Sequence, residues 1–503
     1  MKHKGTQNAK INTWTALLDQ LAATLCGILV PRMMLGAFGS ALYGAVTSIG
    51  QFLSCMALFE GGIGRTARAA LYHPLAEGDS LGVSRIYHGV KRFFLWVGVG
   101  FCIYTLVLAL SYYDIAGVTA LDRGETAALV AVISLAAMAD YFLGITNMTL
   151  IHADQKKYLI NLALTVTRIV NTVLVALMIA AGSDILAVKL GGALVAVCRP
   201  VFFSAYVKRH YALPKVAKQE AALQHKWDGL GQHMAYFLHT NTDMVLLTVF
   251  ADLETVAVYA VYSMVILSIR NITAAFAGGM EAELGSIFAR GQDAQLRRTY
   301  RKYQNRMGTV TTVLFGTTAA MIVPFVRLYT QGITDADYIQ PGFALLLILA
   351  EAIHCVSLPA STVPVAANAL RRTRWGAFGE AGVNVGLSCI LMLFDPLLGV
   401  AAGTLCAELF KSIYYTCYAE KHILKNGSGK ALLRLGVTVA VLTGLCLGAM
   451  LLTRKIPMTH FGEWALWAAG AVVIMALMAA VTQGALYREL WLPGTGFGKG
   501  KEE

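Results

Sequence analysis

The sequence has 503 residues, of which 57% are hydrophobic and only 14% are charged, whereas a soluble globular domain carries about 25% charged residues. This composition excludes an ordinary soluble enzyme. The net charge of +12 is typical of proteins that meet nucleic acid or an anionic membrane, and no nucleic-acid-binding motif is visible. We therefore expect a membrane protein with no nucleic-acid partner.

Apolar runs follow one another along the chain, each long enough to cross the roughly 30 Å hydrocarbon core of a bilayer as a helix. Backbone groups in lipid must be satisfied within the segment, so we predict an all-α fold of about 14 transmembrane helices. Lys and Arg concentrate in alternate connecting segments, which by the positive-inside rule places both termini in the cytoplasm. The predicted spans are 14–35, 42–63, 93–113, 126–147, 159–181, 187–206, 232–251, 255–278, 307–328, 342–365, 376–394, 398–418, 435–453 and 463–486.

Other patterns concern packing and surfaces. The inward segment 279–306 combines basic residues with tyrosines, which is typical of an amphipathic helix at the lipid headgroups. Three glycine pairs, Gly382–Gly386, Gly399–Gly403 and Gly444–Gly448, have the spacing that lets helices approach closely. All nine cysteines lie within predicted spans, and no Cys/His cluster has the spacing of a metal site. We therefore expect no metal and no disulfides.

A short internal repeat divides the chain. The first two spans are joined by a turn at Gly36–Ser40 that is followed by Tyr43, and the seventh and eighth by a turn at Ala251–Thr255 that is followed by Tyr259. Repeated halves are typical of secondary transporters, whose substrate site lies between them near the bilayer midplane. We predict an N-terminal six-helix lobe, a cytoplasmic linker, a C-terminal six-helix lobe, two extra transmembrane helices and a cytoplasmic tail, at residues 1–206, 207–231, 232–418, 419–486 and 487–503.

Several stretches resemble bacterial polysaccharide flippases of the multidrug, oligosaccharidyl-lipid and polysaccharide exporter superfamily. They are PRMMLGAFGSALYG (31–44), FEGGIG (59–64), ALYHPLAEGD (70–79), NTDMVLLTVFADLETVAVYAVY (241–262), PFVRLYTQGITDADYIQP (324–341) and EAGVNVGLS (380–388).

The resemblance implies two six-helix lobes in a V-shaped arrangement plus two C-terminal helices, in the bacterial inner membrane. It implies translocation of a polyprenyl-(pyro)phosphate-linked oligosaccharide from the cytoplasmic to the outer leaflet by alternating access, for capsule, O-antigen of lipopolysaccharide or exopolysaccharide. A polysaccharide polymerase and assembly proteins would be partners, beside membrane lipids.

A lipid-linked sugar needs a wet and cationic route, because ions lose their hydration in hydrocarbon. Arginine holds phosphate by paired hydrogen bonds, and charges inside spans are functional candidates. Four arginines lie within predicted spans: Arg32, Arg168, Arg199 and Arg270. Arg168 and Arg270 lie deepest and have polar neighbours, which favours a cavity, whereas an internal salt bridge or snorkelling to the headgroups is the alternative. For Arg32 the alternative is an interfacial anchor after Pro31, and Arg199 before Pro200 is expected to snorkel.

Carboxylates within the spans are candidates for carrying a coupling ion, either sodium or a proton, or for balancing the cavity charge. The candidates are Asp140, Asp243 and Glu351. For Asp243 a structural ion pair with a cavity arginine is the alternative. Glu408 and Lys411 are three residues apart and are expected to pair with one another.

Two other functions are open. A drug or organic-cation antiporter of the same fold would prefer an acidic and aromatic pocket, whereas the spans here hold charges of both signs. A membrane glycosyltransferase or polymerase would need large outer loops or a nucleotide-sugar domain, and neither is visible. The glycine-rich tail at 494–499 lacks the spacing of a phosphate loop. We therefore expect a transporter without an enzymatic cofactor, driven by an ion gradient, the membrane potential or substrate flux.

Overall fold

The computed structural model describes residues 2–60, 63–214, 241–454, 456 and 458–487. Within these ranges the chain is mainly helical and contains no β-strand. Short 3₁₀ or π segments occur at Cys55–Glu60, Asp140–Gly144 and Ala419–Ile423. The α-helices are α1 (Lys2–Ser54), α2 (Ile63–Glu77), α3 (Ser80–Ile115), α4 (Arg123–Ala139), α5 (Ile145–Ala153), α6 (Lys157–Ala180), α7 (Ile185–His210), α8 (Asn241–Phe250), α9 (Leu253–Ala275), α10 (Met280–Ala289), α11 (Asp293–Tyr329), α12 (Pro341–Ala366), α13 (Leu370–Leu391), α14 (Pro396–Tyr418), α15 (Ser428–Thr453) and α16 (Phe461–Leu486).

The predicted spans map onto these helices. Eleven helical stretches in the described residues are long and apolar enough to cross a membrane. One of them, Lys10–Ser54, holds two predicted spans, because Gly39 breaks α1 with φ 78° and ψ 176°, a conformation that glycine adopts readily. The eleventh predicted span corresponds to the more polar α13, and the seventh ends in α8. The all-helical, multi-pass fold is therefore confirmed.

Aspartates begin many of the helices after short loops. The carboxylates of Asp79, Asp184, Asp252 and Asp395 accept hydrogen bonds from backbone N–H groups three residues later, at 2.7–3.2 Å. Asp122 forms a reciprocal capping box with the third residue of α4. Such caps satisfy backbone donors that have no partner in the first helical turn. They explain why turns of only a few residues suffice between long helices.

The described chain divides into two compact units, Met1–Ala257 and Val258–Glu503. In the first unit α4 packs against α3 and α7, and α6 packs against α1 and α7. In the second unit α12 packs against α11 and α14, and α13 packs against α14. The third to sixth predicted spans therefore pack in the same order as the ninth to twelfth. The two additional helices, α15 and α16, both pack on α11.

The long segment after α9 forms α10 and the start of α11. Tyr300 and Tyr303 are fully buried against Leu284, Ile287 and Val363. α10 and the 419–424 segment supply the apolar contacts that the amphipathic pattern requires. The position of this segment at the lipid headgroups stays a prediction.

The three glycine pairs also differ from one another. A Cβ atom on Gly399 or Gly403 would overlap α13, so this pair does allow close packing. A Cβ on Gly382, Gly386, Gly444 or Gly448 would meet no described atom within 4 Å. The spacing alone therefore overestimated contact at two of the three pairs, because it does not report which face of a helix meets protein.

Candidate functional site

A polar line joins α1 to α6 in the first unit. Asn12 accepts a hydrogen bond from the backbone of Tyr158 (2.6 Å), and Asn161 donates to Thr15 (3.2 Å). One helical turn further along α6, Thr165 donates to the carboxylate of Asp19 (3.4 Å). Burial of these polar groups is compensated because each has a partner on the facing helix.

Arg168 closes this line with an ion pair to Asp19, the carboxylate that Thr165 also contacts. Of the three arginines in described ion pairs within the predicted spans, Arg168 is the most accessible, with a side-chain exposure of 36% against 18% for Arg199 and 14% for Arg270. A partly exposed, charge-assisted pair can exchange its carboxylate for another anion at lower cost than a buried one.

A second ion pair joins Asp140 to Arg199. Asp140 begins the π-helical turn between α4 and α5, and a Cβ on Gly144 would collide with its carboxylate. Glycine at this position therefore leaves the room in which the carboxylate turns toward α7. Both Asp140 Oδ1 and Arg199 Nε lie buried without a hydrogen-bond partner among the described residues. Such π turns are frequent at functional sites.

The second unit holds an ion pair between Arg270 on α9 and Glu351 on α12, at 3.2 Å. Both side chains are largely buried, and the guanidinium contacts both carboxylate oxygens. Truncating one partner of such a pair would leave an uncompensated buried charge. An internal salt bridge was the alternative for Arg270, and the structure places it in one with Glu351.

One turn further along α12, His354 enters a cluster with α13 and α14. Its Nδ1 lies 2.9 Å from Glu408 Oε1 and 3.3 Å from Lys411 Nζ. Lys411 also contacts Glu380 at 2.9 Å and Glu408 at 3.4 Å. The pairing of Glu408 with Lys411 is therefore confirmed, as part of a larger network than the sequence predicted.

The remaining two candidates lie in the first unit. Arg32 is partly buried on α1, after Pro31 and before the break at Gly39. Asp243 is buried on α8. The same helix meets the second part of α1, where Ser48 bonds to Thr248 at 2.7 Å and Gln51 donates to Asn241. Within the first unit, the described contacts place Arg168 and Arg199 in two separate ion pairs.

A polar network outside the predicted spans joins the connection before α6 to the segment that follows α7. Tyr211 donates to Asp154 at 2.6 Å, and Lys156 contacts the same carboxylate at 2.7 Å. Burial alone would lower the pKa of Lys156, but the Asp154 carboxylate outweighs it and the pKa is raised. Burial, followed by the same carboxylate, raises the pKa of Tyr211. Lys156 therefore stays charged.

The described part of the second unit also contains a small cavity lined by residues of α11, α12, α14, α15 and α16. Gln304, Arg434, Gln483 and Tyr487 line it. Gln483 is buried, and its Oε1 has no hydrogen-bond partner among the described residues. None of the seven candidates lines this cavity, which explains why sequence reasoning did not find it.

Comparison with known proteins gives structural likeness only, since neither a protein-family model nor a curated protein sequence matches the chain. A structure of the lipid II flippase MurJ in an inward closed conformation has a TM-score of 0.67 and 14% identity, over 96% of this chain and 99% of that one. An inward-facing multidrug resistance MATE family transporter of the MOP superfamily has a TM-score of 0.60 and 15% identity, over 82% and 95%. A structure of the MATE multidrug transporter DinF-BH has a TM-score of 0.56 and 14% identity, over the same shares.

The chain has the fold of these transporters. The predicted fold is thus confirmed, while membership of the superfamily and of its polysaccharide flippase family stays a prediction.

Sequence reasoning found the embedded arginines but missed two carboxylates that take part in ion pairs. Asp19, the partner of Arg168, and Glu380, a partner of Lys411, also lie within predicted spans. Their signal was the same as that of the chosen candidates, a charged residue inside a predicted span. Asp19 lies near the start of its span, where a charge is readily explained by the membrane interface.

Proposed function

We propose that this chain is a flippase that translocates a polyprenyl-(pyro)phosphate-linked oligosaccharide from the cytoplasmic to the outer leaflet of a bacterial inner membrane. The product would supply capsule, O-antigen or exopolysaccharide synthesis, and a polymerase and assembly proteins would act after it. In this proposal both termini lie in the cytoplasm, as the distribution of Lys and Arg favours.

The extent of structural likeness carries the proposal. The structure of a lipid II flippase matches 96% of this chain, whereas the two MATE structures described above match 82% while themselves being covered to 95%. This chain therefore has structure beyond that of these two MATE transporters, and the flippase accommodates nearly all of it. This difference in coverage is expected if the flippase has counterparts of the two additional helices α15 and α16 and the two MATE transporters do not.

Arg168 is the strongest candidate for the phosphate groups. Its guanidinium already holds the carboxylate of Asp19. It is also the most exposed of the three arginines that form described ion pairs within the predicted spans. A phosphate group presents oxygens to the same donors, so the substrate would displace Asp19 from Arg168. Arg32, Arg199 and Arg270 would supply further positive charge, and Asp140, Asp243 and Glu351 would balance it or carry sodium or a proton.

The test measures sidedness of a lipid-linked oligosaccharide in proteoliposomes, with and without an imposed proton or sodium gradient. We expect Arg168→Glu to reduce transfer by about ten-fold or more, because a hydrogen bond to a charged group contributes about 1.5–3 kcal/mol. The exchanged variant Asp19→Arg with Arg168→Asp restores an ion pair but moves the cation to α1. It should recover folding without recovering transfer.

The exposed pair between Arg123 and Asp114 serves as the matched control, since both side chains are more than half exposed. Exchanging these two charges should leave transfer unchanged. If the Asp19–Arg168 exchange restored full transfer, the pair would be structural only and Arg168 would not bind substrate. No protein-dependent transfer of any lipid-linked glycan would contradict the proposed function itself.

An ion-coupled antiporter of organic cations is the second candidate. It is favoured by the MATE structures among the neighbours and by three carboxylates, Glu351, Glu380 and Glu408, in the described ion pairs of the second unit. Gradient-driven efflux of an organic cation from proteoliposomes, together with no glycan transfer, would select it.

A further inference from the structure

The ion pair between Asp140 and Arg199 is incompletely satisfied. Asp140 Oδ1 can accept a hydrogen bond and Arg199 Nε can donate one, yet both atoms lie buried without a hydrogen-bond partner among the described residues. The described pairs of Arg168 and Arg270 contain no such atom. A buried polar atom without a partner is costly, so the Asp140–Arg199 pair favours contact with one further polar group.

The two unpartnered atoms have opposite hydrogen-bonding roles. Oδ1 belongs to the carboxylate and Nε to the guanidinium of one ion pair, so a ligand that reaches both atoms meets both signs of charge. An anion would be attracted by Arg199 and repelled by Asp140, and for a cation the reverse holds. A hydroxyl group is neutral, and it can donate to Oδ1 and accept from Nε at the same time. The chemistry of the pair therefore favours a hydroxyl over an ion.

We propose that the Asp140–Arg199 pair binds a hydroxyl group of the sugar head. The inference rests on the proposed function, because a lipid-linked oligosaccharide presents many hydroxyl groups. The ion pair stays intact when the sugar binds, so Asp140 keeps its charge-balancing role. Water offers the same donor and acceptor as a sugar hydroxyl, and the experiment therefore has to distinguish the two.

Both helices are irregular where the pair forms, which allows the site to adapt. Asp140 begins the π-helical turn Asp140–Gly144, and Arg199 precedes Pro200 within α7. A proline removes a backbone hydrogen bond of its helix, and π turns are frequent at functional sites. The side chains of Asp140 and Arg199 are 19% and 18% exposed, so the edge of the pair is accessible. Small shifts of the two groups then bring their buried atoms to a ligand.

The position of the pair also favours a hydrophilic ligand. α7 packs against both α4 and α6, and Asp140 and Arg199 lie within the fourth and sixth predicted spans. Charged groups inside membrane spans almost always face the interior of a bundle or a water-filled cavity. A sugar head that follows such a route contacts the exposed edge of the pair.

The test compares the affinities of the full-length protein in lipid nanodiscs for two probes. One probe is a polyprenyl pyrophosphate that carries a neutral trisaccharide, and the other is the same lipid without sugar. Native mass spectrometry gives both dissociation constants. The two probes present the same phosphate groups, so the ratio of their dissociation constants isolates the contribution of the sugar. We expect the wild-type protein to bind the sugar-bearing lipid more tightly.

Arg199→Lys is the decisive variant, because it keeps the positive charge but removes the Nε donor. It should weaken binding of the sugar-bearing lipid about ten-fold more than binding of the bare lipid, since the lost hydrogen bond comes from a charged group. Arg123→Lys, in the exposed pair with Asp114, is the matched control and should leave the ratio unchanged. Gly144→Ala keeps both charged groups but displaces Asp140 Oδ1, so it should also reduce the preference for sugar. It remains informative even if Arg199→Lys does not fold.

The possible outcomes separate the sugar from phosphate and from water. If Arg199→Lys weakened binding of both probes equally, Arg199 would bind phosphate and the proposal would be overturned. An unchanged ratio in Arg199→Lys and Gly144→Ala would show that the pair contacts water only, which would overturn it as well. Equal affinity of the wild-type protein for both probes would have the same consequence. If the wild-type protein bound neither probe, the proposed function itself would fail.

Discussion

Lys411 offers a quantitative test of the buried network. Its ammonium lies 2.9 Å from Glu380 and 3.4 Å from Glu408. At an effective dielectric constant of about 20, these contacts amount to about 6 and 5 kcal/mol of attraction. Desolvation of the ammonium offsets several kcal/mol of this gain. We therefore expect Lys411→Met to lower the free energy of unfolding by about 3–5 kcal/mol, as when one partner of a buried pair is removed.

The assay is unfolding by SDS titration in mixed micelles, followed by tryptophan fluorescence. Adding Glu380→Gln to Lys411→Met removes one of the two buried carboxylates that Lys411 contacts, so the double variant should be more stable than Lys411→Met alone. Lys425→Met, which removes an exposed pair with Asp293 at 2.9 Å, should cause no measurable change. A fully stable Lys411→Met, or effects of the two substitutions that simply add, would refute the reasoning.

Four glycines give further predictions. Gly144→Ala should push the neighbouring carboxylate away from Arg199 and destabilise the protein by about 1–3 kcal/mol, the usual cost of overpacking, as SDS titration would measure. Gly399→Ala, whose methyl group would overlap the end of α13, should lower the stability by a similar amount. Gly382→Ala should be neutral or slightly stabilising, because no described atom lies near and alanine favours a helix. Gly44→Val should force the second part of α1 away from the first turn of α9. Cysteines introduced at that contact should then react faster with a thiol-specific label. Unchanged labelling would contradict the close approach.

The helices were predictable because one physical requirement governs them. Each span must satisfy its backbone in hydrocarbon, so runs of apolar residues such as 307–328 and 463–486 predict α11 and α16 directly. The break between the first two spans was also predictable, since Gly36–Ser40 surrounds the glycine that interrupts α1. The predicted span 376–394 differs at both ends from α13, because polar residues in this helix obscure where its apolar run begins and ends.

The partners of the charged residues were not predictable in the same way. Arg168 meets Asp19 across 149 residues of sequence, and Arg199 meets Asp140 across 59. The rotation and the axial position of two helices decide which of their residues face each other. The periodicity of apolar residues does not fix either quantity accurately enough to identify the facing pair. The π turn at Asp140 adds a residue to one helical turn, which redirects the carboxylate in a way that a regular 3.6-residue pattern does not anticipate.

The exposure of the arginine pairs separates two roles. The side chain of Arg168 is 36% exposed, whereas those of Arg199 and Arg270 are 18% and 14% exposed. A partly exposed pair can exchange its carboxylate for another anion at lower cost than a buried pair, and removing one partner of a buried pair is strongly destabilising. Substitution of Arg168 should therefore mainly change the KM for a phosphate-bearing substrate, and substitution of Arg270 should mainly lower the stability measured by SDS titration. Variants that changed both quantities equally would contradict the separation that the exposures imply.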